Sequence, residues 1–200
     1  MRLFLLFLFT LNLTAQDEYS FRVAYGEASI DDLGDIIFFK SSTHPDDLTV
    51  YSLDGGYLLK EDMFEFPLNL YFKGGLSYFN EGSSPREEHI YEGTLYFKVY
   101  YKADFLENRV RFGLGEGISY TSGILWSEYK EAKNEGDNTS KFLNYMDLSI
   151  DFDLGKLVKY KPLEDTYIGW TLKHRSGVFG LYGGVYGGSN YNTISVEKIF

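Results

Sequence analysis

The sequence contains no cysteine and only four prolines in 200 residues. The lack of cysteine excludes both a disulfide framework and a thiolate metal site. The net charge of −10 argues against a nucleic-acid-binding protein, which needs a basic face to displace counterions from phosphates. After the first residues, no apolar run reaches the roughly 20 residues that a membrane-spanning helix needs. No linker rich in proline, glycine or serine divides the chain, which predicts a single domain.

Residues 1–15 have the pattern of a secretory signal peptide. A single positive charge at Arg2 precedes the apolar stretch Leu3–Leu11, and small residues follow at Thr14 and Ala15. A membrane anchor is the alternative, but this apolar stretch is shorter than the roughly 18 to 20 residues of a spanning helix. We therefore expect a signal peptide cleaved near Ala15 and one domain over residues 16–200.

Most of the remaining chain alternates between apolar and polar residues, which is the period of a β-strand. In residues 142–154, for example, Leu148, Ile150 and Phe152 alternate with Asp147 and Asp151. The apolar run at 36–39 fits no such parity and is taken as loop. Eight strands are predicted: Tyr19–Gly26, Thr49–Leu59, Phe64–Tyr78, Tyr91–Tyr101, Val110–Tyr120, Phe142–Leu154, Thr166–Ser176 and Asn190–Phe200.

The polar face of these strands carries charges of both signs, including Lys73, Arg111 and Asp147. A soluble β-sandwich or lipocalin-like barrel is the alternative fold, but its core would bury these charges against apolar partners, which is costly. In a small membrane barrel the interior is filled by side chains, and such charges can pair. Tyrosine and phenylalanine, 18 and 17 in number, suit the aromatic girdles of such a barrel. The sequence therefore predicts an all-β fold, an eight-stranded antiparallel transmembrane β-barrel of the outer membrane.

The lengths of the links between strands predict the orientation of the barrel. Outer-membrane barrels have short periplasmic turns and longer outer loops, with the N-terminus taken as periplasmic. The short links at 61–65 and 104–107 then lie on the periplasmic side, with 155–165 as a long exception. The outer loops are predicted at 27–48, 81–89, 127–141 and 177–189. His44 and His89, in two of these loops, are expected to be solvated, and no metal-site spacing is found.

The last two strands bring together the residue types of a serine hydrolase. By parity, His174 and Ser176 point outward from the seventh strand, and Asn190 and Asn192 point outward from the eighth, beside them. A serine beside a histidine that a third polar group orients is the arrangement needed for acyl transfer. A position at the level of the outer-leaflet headgroups selects a lipid ester as substrate. Polar residues are also ordinary at strand ends, where they would serve only as headgroup contacts.

The segment Leu172–Gly177, with the glycine-rich loop and the asparagine-containing strand that follow, resembles the PagL-like lipid A 3-O-deacylases, the acyloxyacyl hydrolases. The resemblance implies an eight-stranded outer-membrane barrel with Ser176 as nucleophile and His174 as general base. The family's acidic residue falls on Asn190, which can orient an imidazole but cannot stabilise its charged form. Gly177 replaces the family's usual asparagine, so the oxyanion donors are expected among the backbone N–H groups of 177–188 or at Asn192.

These patterns predict a lipid A deacylase that hydrolyses an ester-linked acyl chain of lipopolysaccharide without cofactor or metal. The expected partners are lipopolysaccharide in the outer leaflet and the barrel-assembly machinery, because the terminal Phe200, with Val196 and Ile194 on the same parity, resembles the signal that this machinery reads. Nucleic acid is not expected as a partner, and a homodimer is left open. The alternative is a non-catalytic outer-membrane barrel with a structural or adhesive role.

Overall fold

A computed structural model describes residues 18–82, 84–85 and 89–200, so the predicted signal peptide lies outside the described residues. Eight strands close into one barrel in which each strand pairs antiparallel with its chain neighbours and β1 pairs with β8. This confirms the predicted eight-stranded antiparallel all-β barrel. The strands are β1 (Tyr19–Ser29), β2 (Thr49–Lys60), β3 (Leu68–Asn80), β4 (His89–Phe105), β5 (Asn108–Thr121), β6 (Phe142–Asp153), β7 (Thr166–Ser176) and β8 (Gly188–Ile199).

Over most of their length the strands point apolar side chains outward and polar side chains inward. In β1, Phe21 and Val23 are exposed on the outside of the barrel, whereas Ser20 and Arg22 are buried inside it. A soluble barrel has the opposite arrangement, because water must cover its outer face. An apolar outer surface is the arrangement that a lipid environment favours.

Ion pairs occupy part of the barrel interior. The guanidinium of Arg22 lies 2.6 Å from the Asp147 carboxylate, and that of Arg111 lies 2.6 Å from Asp151 and 2.9 Å from Glu197. All five side chains are almost completely shielded from solvent. Pairing of opposite charges offsets the cost of removing them from water, so these residues can occupy the interior where unpaired charges could not.

The third strand begins later than the sequence predicts. Residues 64–66, assigned above to a strand, belong instead to a turn in which Met63–Glu65 form a single 3₁₀ turn, and the strand starts at Leu68. Pro67 accounts for this boundary, because proline has no N–H to donate to a β-ladder and is confined to strand starts and edges. The bulky side chains of Phe64 and Phe66 consequently lie exposed at the rim.

Among the described residues, three short α-helices lie between the strands: α1 (Leu33–Ile37), α2 (Trp126–Glu135) and α3 (Leu154–Val158). Helix α1 includes the first two residues of the apolar run 36–39, so the prediction that the whole run is loop is wrong there. Helix α3 occupies the first four residues of the long periplasmic link predicted at 155–165. No helix in the described part of the chain is long and apolar enough to cross a membrane. The loops β1–β2, β3–β4, β5–β6 and β7–β8 meet at one end of the barrel, called here the long-loop end.

Candidate active site

Strand pairing places His174 directly opposite Asn190, near the long-loop end of β7 and β8. Both residues alternate with buried neighbours, so their side chains lie on the outer face of the barrel. The imidazole Nδ1 lies 2.7 Å from the Asn190 Oδ1. Two residues predicted from the sequence as base and orienting group are therefore in direct hydrogen-bond contact.

A second hydrogen bond defines which way the Asn190 amide faces. Its Nδ2 donates to the backbone carbonyl of Asp31 at 3.0 Å, which leaves Oδ1 toward the imidazole. Because an amide oxygen only accepts hydrogen bonds, the imidazole must donate from Nδ1. In the neutral tautomer assigned this way, Nε2 carries a lone pair and is free to accept a proton.

Ser176 lies on the same outer face, two residues beyond His174, and is half-buried. It pairs with Asn144 on one side and Gly188 on the other. Residues two apart in a strand are separated by roughly 6.6 Å along it. Among the described residues no hydrogen bond joins the Ser176 hydroxyl to His174, although such contacts are often long in free enzymes and tighten only with substrate. The arrangement supplies an oriented base with a hydroxyl close by on the same surface.

The two residues considered for the oxyanion site already make other hydrogen bonds. The Gly177 N–H donates to the carbonyl of Gly187 at 3.0 Å. The Asn192 Oδ1 accepts from the Trp170 indole at 3.1 Å, and its Nδ2 donates to Ser41 Oγ at 2.7 Å. Their role in stabilising an oxyanion stays a prediction, since each would have to act in addition to these bonds.

Sequence reasoning missed the support behind the site, which comes from α2. On the inner face, the Glu128 carboxylate lies 3.2 Å from the Arg175 guanidinium and accepts a hydrogen bond of 2.8 Å from Ser189 Oγ. Arg175 stands between His174 and Ser176, and Ser189 precedes Asn190. Burial raises the pKa of Glu128, in opposition to the effect of Arg175. The only sequence signal for this contact was the inward parity of Arg175, a charge without an evident partner.

The other two histidines are separate from this site. His44 is buried rather than solvated as predicted, and its Nδ1 accepts a hydrogen bond from the Asp46 N–H at 3.2 Å. His89 Nδ1 lies 2.7 Å from the Tyr78 hydroxyl. Within the part of the chain that the structure describes, no group of three or more histidine, cysteine, aspartate or glutamate side chains is arranged to hold a metal ion.

The barrel is similar to known structures of outer-membrane proteins. The crystal structure of the outer membrane enzyme PagL has a TM-score of 0.59 and 11% sequence identity, and the match covers 90% of this chain and 98% of PagL. The crystal structure of Neisserial surface protein A has a TM-score of 0.50 and 11% identity, with coverage of 93% and 99%. No protein-family model and no curated protein sequence matches the chain. At this identity the likeness concerns the fold, which is that of an eight-stranded outer-membrane β-barrel.

Proposed function

We propose that this protein is an outer-membrane esterase that removes an ester-linked acyl chain from lipid A, at the 3-O position if the resemblance to PagL-like deacylases extends to substrate choice. The observation that carries the proposal is the hydrogen bond between His174 and Asn190 beside Ser176, on the outer face of the barrel. A soluble substrate would have no reason to meet a site on this face, whereas a lipid of the surrounding leaflet reaches it directly.

The reaction follows from the roles that the geometry supports. Ser176 Oγ attacks the ester carbonyl carbon and gives its proton to His174 Nε2, while Asn190 holds the imidazole through Nδ1. The protonated His174 then gives that proton to the departing sugar oxygen, leaving the acyl chain on Ser176. A water molecule, deprotonated by His174, attacks this acyl-enzyme, and the fatty acid leaves as the Ser176 hydroxyl is restored. The first step requires Ser176 Oγ to come within about 3 Å of Nε2, which a side-chain rotation on substrate binding would provide.

The depth of the site suits a substrate of this kind. His174 and Ser176 lie within the last three residues of β7, next to the long-loop end. In lipid A the acyl esters lie at the boundary between sugar headgroup and acyl chains. With the long loops outside the cell, the site would meet that boundary in the outer leaflet.

A non-catalytic barrel is the second candidate, and two observations favour it. Asn190 supplies no negative charge to stabilise an imidazolium, and the described hydrogen bonds do not include one between Ser176 and His174. In that case the bond between His174 and Asn190 would serve only to hold β7, β8 and the β1–β2 loop together.

Mass spectrometry of lipid A from cells that express the protein separates the two candidates. We expect the wild type to remove one hydroxyacyl mass and Ser176→Ala and His174→Ala to leave lipid A intact. Ser195→Ala is the matched control, because its hydroxyl faces the interior and contacts Thr171 rather than the site. Unchanged lipid A in cells whose wild-type barrel is folded in the membrane would assign the protein a structural role.

A further inference from the structure

Part of the β1–β2 loop lies against the outer wall of the barrel. The outward side chains of Asn190 and Asn192 donate hydrogen bonds to the loop, at the Asp31 carbonyl and at Ser41 Oγ. Ser41 also borders a groove of ≈ 270 Å³ whose opposite wall includes Trp170 and Ile194 of the barrel. This section of the loop is therefore beside the lipid-facing surface and not above the barrel mouth.

The turn at α1 presents a bare apolar tip, defined here as Ile37, Phe38 and Phe39. Ile36 is only 2% exposed and anchors the turn, whereas Phe38 and Phe39 are 78% and 82% exposed. Phe39 has a positive φ of 61°, a conformation that is uncommon for a non-glycine residue. It is held there by its N–H donating to the Ile36 carbonyl at 2.9 Å and by Lys40 N–H donating to Asp35 at 2.9 Å. A fixed turn thus holds two phenylalanines away from the protein.

The apolar tip lies close to the apolar outer face of the barrel. The hydrogen bond between Ser41 and Asn192 places Ser41 beside Asn192 on the outer wall. The next outward-facing residue along β8 is the exposed Ile194. Ile194 lies roughly 6.6 Å further along the strand, two residues at the usual β rise. Phe39 is two residues from Ser41 and so lies within roughly 7 Å of it by the reach of an extended chain. The tip therefore lies near the lipid-facing wall of the barrel.

We propose that the apolar tip inserts into the outer leaflet beside the candidate site and that its partner is the lipid bilayer itself. Aromatic side chains are enriched at the membrane interface, where the ring is apolar and the surroundings change from hydrocarbon to water. Lys40, next to Phe39, can extend its ammonium toward lipid phosphates while its stem stays in the apolar layer. Proximity to the lipid-facing wall, against which the β1–β2 loop is held, favours lipid over another protein as the occupant. The inference does not depend on whether Ser176 is catalytic.

The absence of cysteine allows a direct test on the full-length barrel. Phe38→Cys is labelled with the environment-sensitive fluorophore NBD and reconstituted into phosphatidylcholine vesicles, with Ile37→Cys as a second position in the same tip. Leu95→Cys, exposed on the outer wall, is the lipid control, and Asn134→Cys, exposed on α2, is the water control. Folding of each variant is checked by the shift in gel mobility on heating. Fluorescence is then quenched either by nitroxides on the lipid acyl chains or by iodide in the water.

We expect the labels at positions 38 and 37 to be quenched by the lipid nitroxides to about the same extent as the label at 95, and to be protected from iodide. Quenching that follows the pattern of position 134 would overturn the inference, because the tip would then lie in water. Protection from both quenchers would also overturn it and would indicate that a second protein chain covers the tip. If the label at position 95 itself escaped the nitroxides, the barrel would not lie in the membrane as its fold suggests, and the inference would fail with it.

Discussion

At the scale of single residues, the unusual feature is Asn190, an asparagine at the position where the deacylases that this sequence resembles have an acidic residue. Asn190 joins two elements, because its amide oxygen meets His174 and its amide nitrogen meets the Asp31 carbonyl of the β1–β2 loop. The loop bond fixes the amide orientation, and that orientation fixes the histidine tautomer. In the proposed reaction, Asn190 would position the imidazole as a triad acid does, but without the negative charge.

Removal of this side chain should therefore impair the proposed reaction. In Asn190→Ala the imidazole loses its fixed tautomer and orientation, and we expect kcat/KM to fall by about 10²-fold, the lower range of a general-base contribution. The measurement is ester hydrolysis by the purified barrel in lipid A micelles. Asn69→Ala is the matched control, because Asn69 lies inside the barrel at the opposite end of the strands and should leave the rate unchanged. A rate equal to wild type in Asn190→Ala would show that this asparagine has no part in the reaction.

Replacing Asn190 by an acid should destabilise the protein, because the Asn190 amide also binds the β1–β2 loop. In Asn190→Asp a carboxylate oxygen would face the Asp31 carbonyl 3.0 Å away, where the amide nitrogen now donates. Two hydrogen-bond acceptors cannot bond to each other, so we expect the free energy of unfolding in urea to fall by about 1–3 kcal/mol. Asn190→Ala lacks the repulsion, and its loss of stability should be smaller. If Asn190→Asp proved as stable as the wild type, the loop contact would be unimportant.

At the scale of elements, helix α2 supports the ends of β7 and β8 from inside the long-loop end. Glu128 binds Arg175 and Ser189, and Glu131 accepts a hydrogen bond of 3.0 Å from the Gly188 N–H. These contacts lie on the inner face, directly behind the outward side chains of the candidate site. The helix therefore links the β5–β6 loop to the ends of the two strands that carry the candidate site.

Glu128→Gln tests this support with little change in shape. The amide keeps an oxygen for Ser189 but removes the charge that faces the buried Arg175, whose remaining acidic neighbour Glu92 lies 3.7 Å away. Loss of one partner of a buried pair costs about 3 kcal/mol or somewhat less here, because Glu92 remains. Urea titration followed by gel mobility measures the change. Glu135→Gln, at the exposed end of the same helix, should stay close to wild type, and equal stability of both variants would contradict the assigned role of Glu128.

The elements also show what the sequence could and could not predict. Strand parity predicted all eight strands and the outward placement of His174, Ser176 and Asn190, because a β-strand alternates strictly and lipid selects one face. The predicted start of β3 was wrong because the parity of side chains takes no account of Pro67, which cannot donate a hydrogen bond to the β-ladder. The contacts of Glu128 and Asp31 could not be predicted from the sequence. They depend on how the long loops fold back onto the barrel, and loop sequences have no hydrophobic periodicity from which that fold could be inferred.

At the scale of the whole molecule, the barrel reverses the arrangement of a soluble protein: its apolar side chains face outward and its charged side chains face inward. The interior ion pairs connect strands far apart in sequence, as Arg22 of β1 does when it contacts Asp54 of β2 and Asp147 of β6. Each buried charge removed from water must be balanced by its neighbours. Arg22, Asp54 and Asp147 therefore form a buried network that joins three strands across the barrel interior.

Two arginine–aspartate pairs of similar length allow the value of this network to be measured. Arg22 lies 2.6 Å from Asp147 with both side chains buried, whereas Arg109 of β5 lies 2.8 Å from Asp104 of β4, next to the turn that joins these strands, where both side chains are partly exposed. Arg22→Met should leave Asp54 and Asp147 undercompensated and cost about 3–5 kcal/mol of unfolding free energy in urea. Arg109→Met should cost about 1 kcal/mol or less, because water screens an exposed pair. Similar losses in the two variants would contradict this prediction, because they would mean that water reaches the barrel interior around Arg22. The buried ion pairs would then stabilise the barrel no more than a surface pair does.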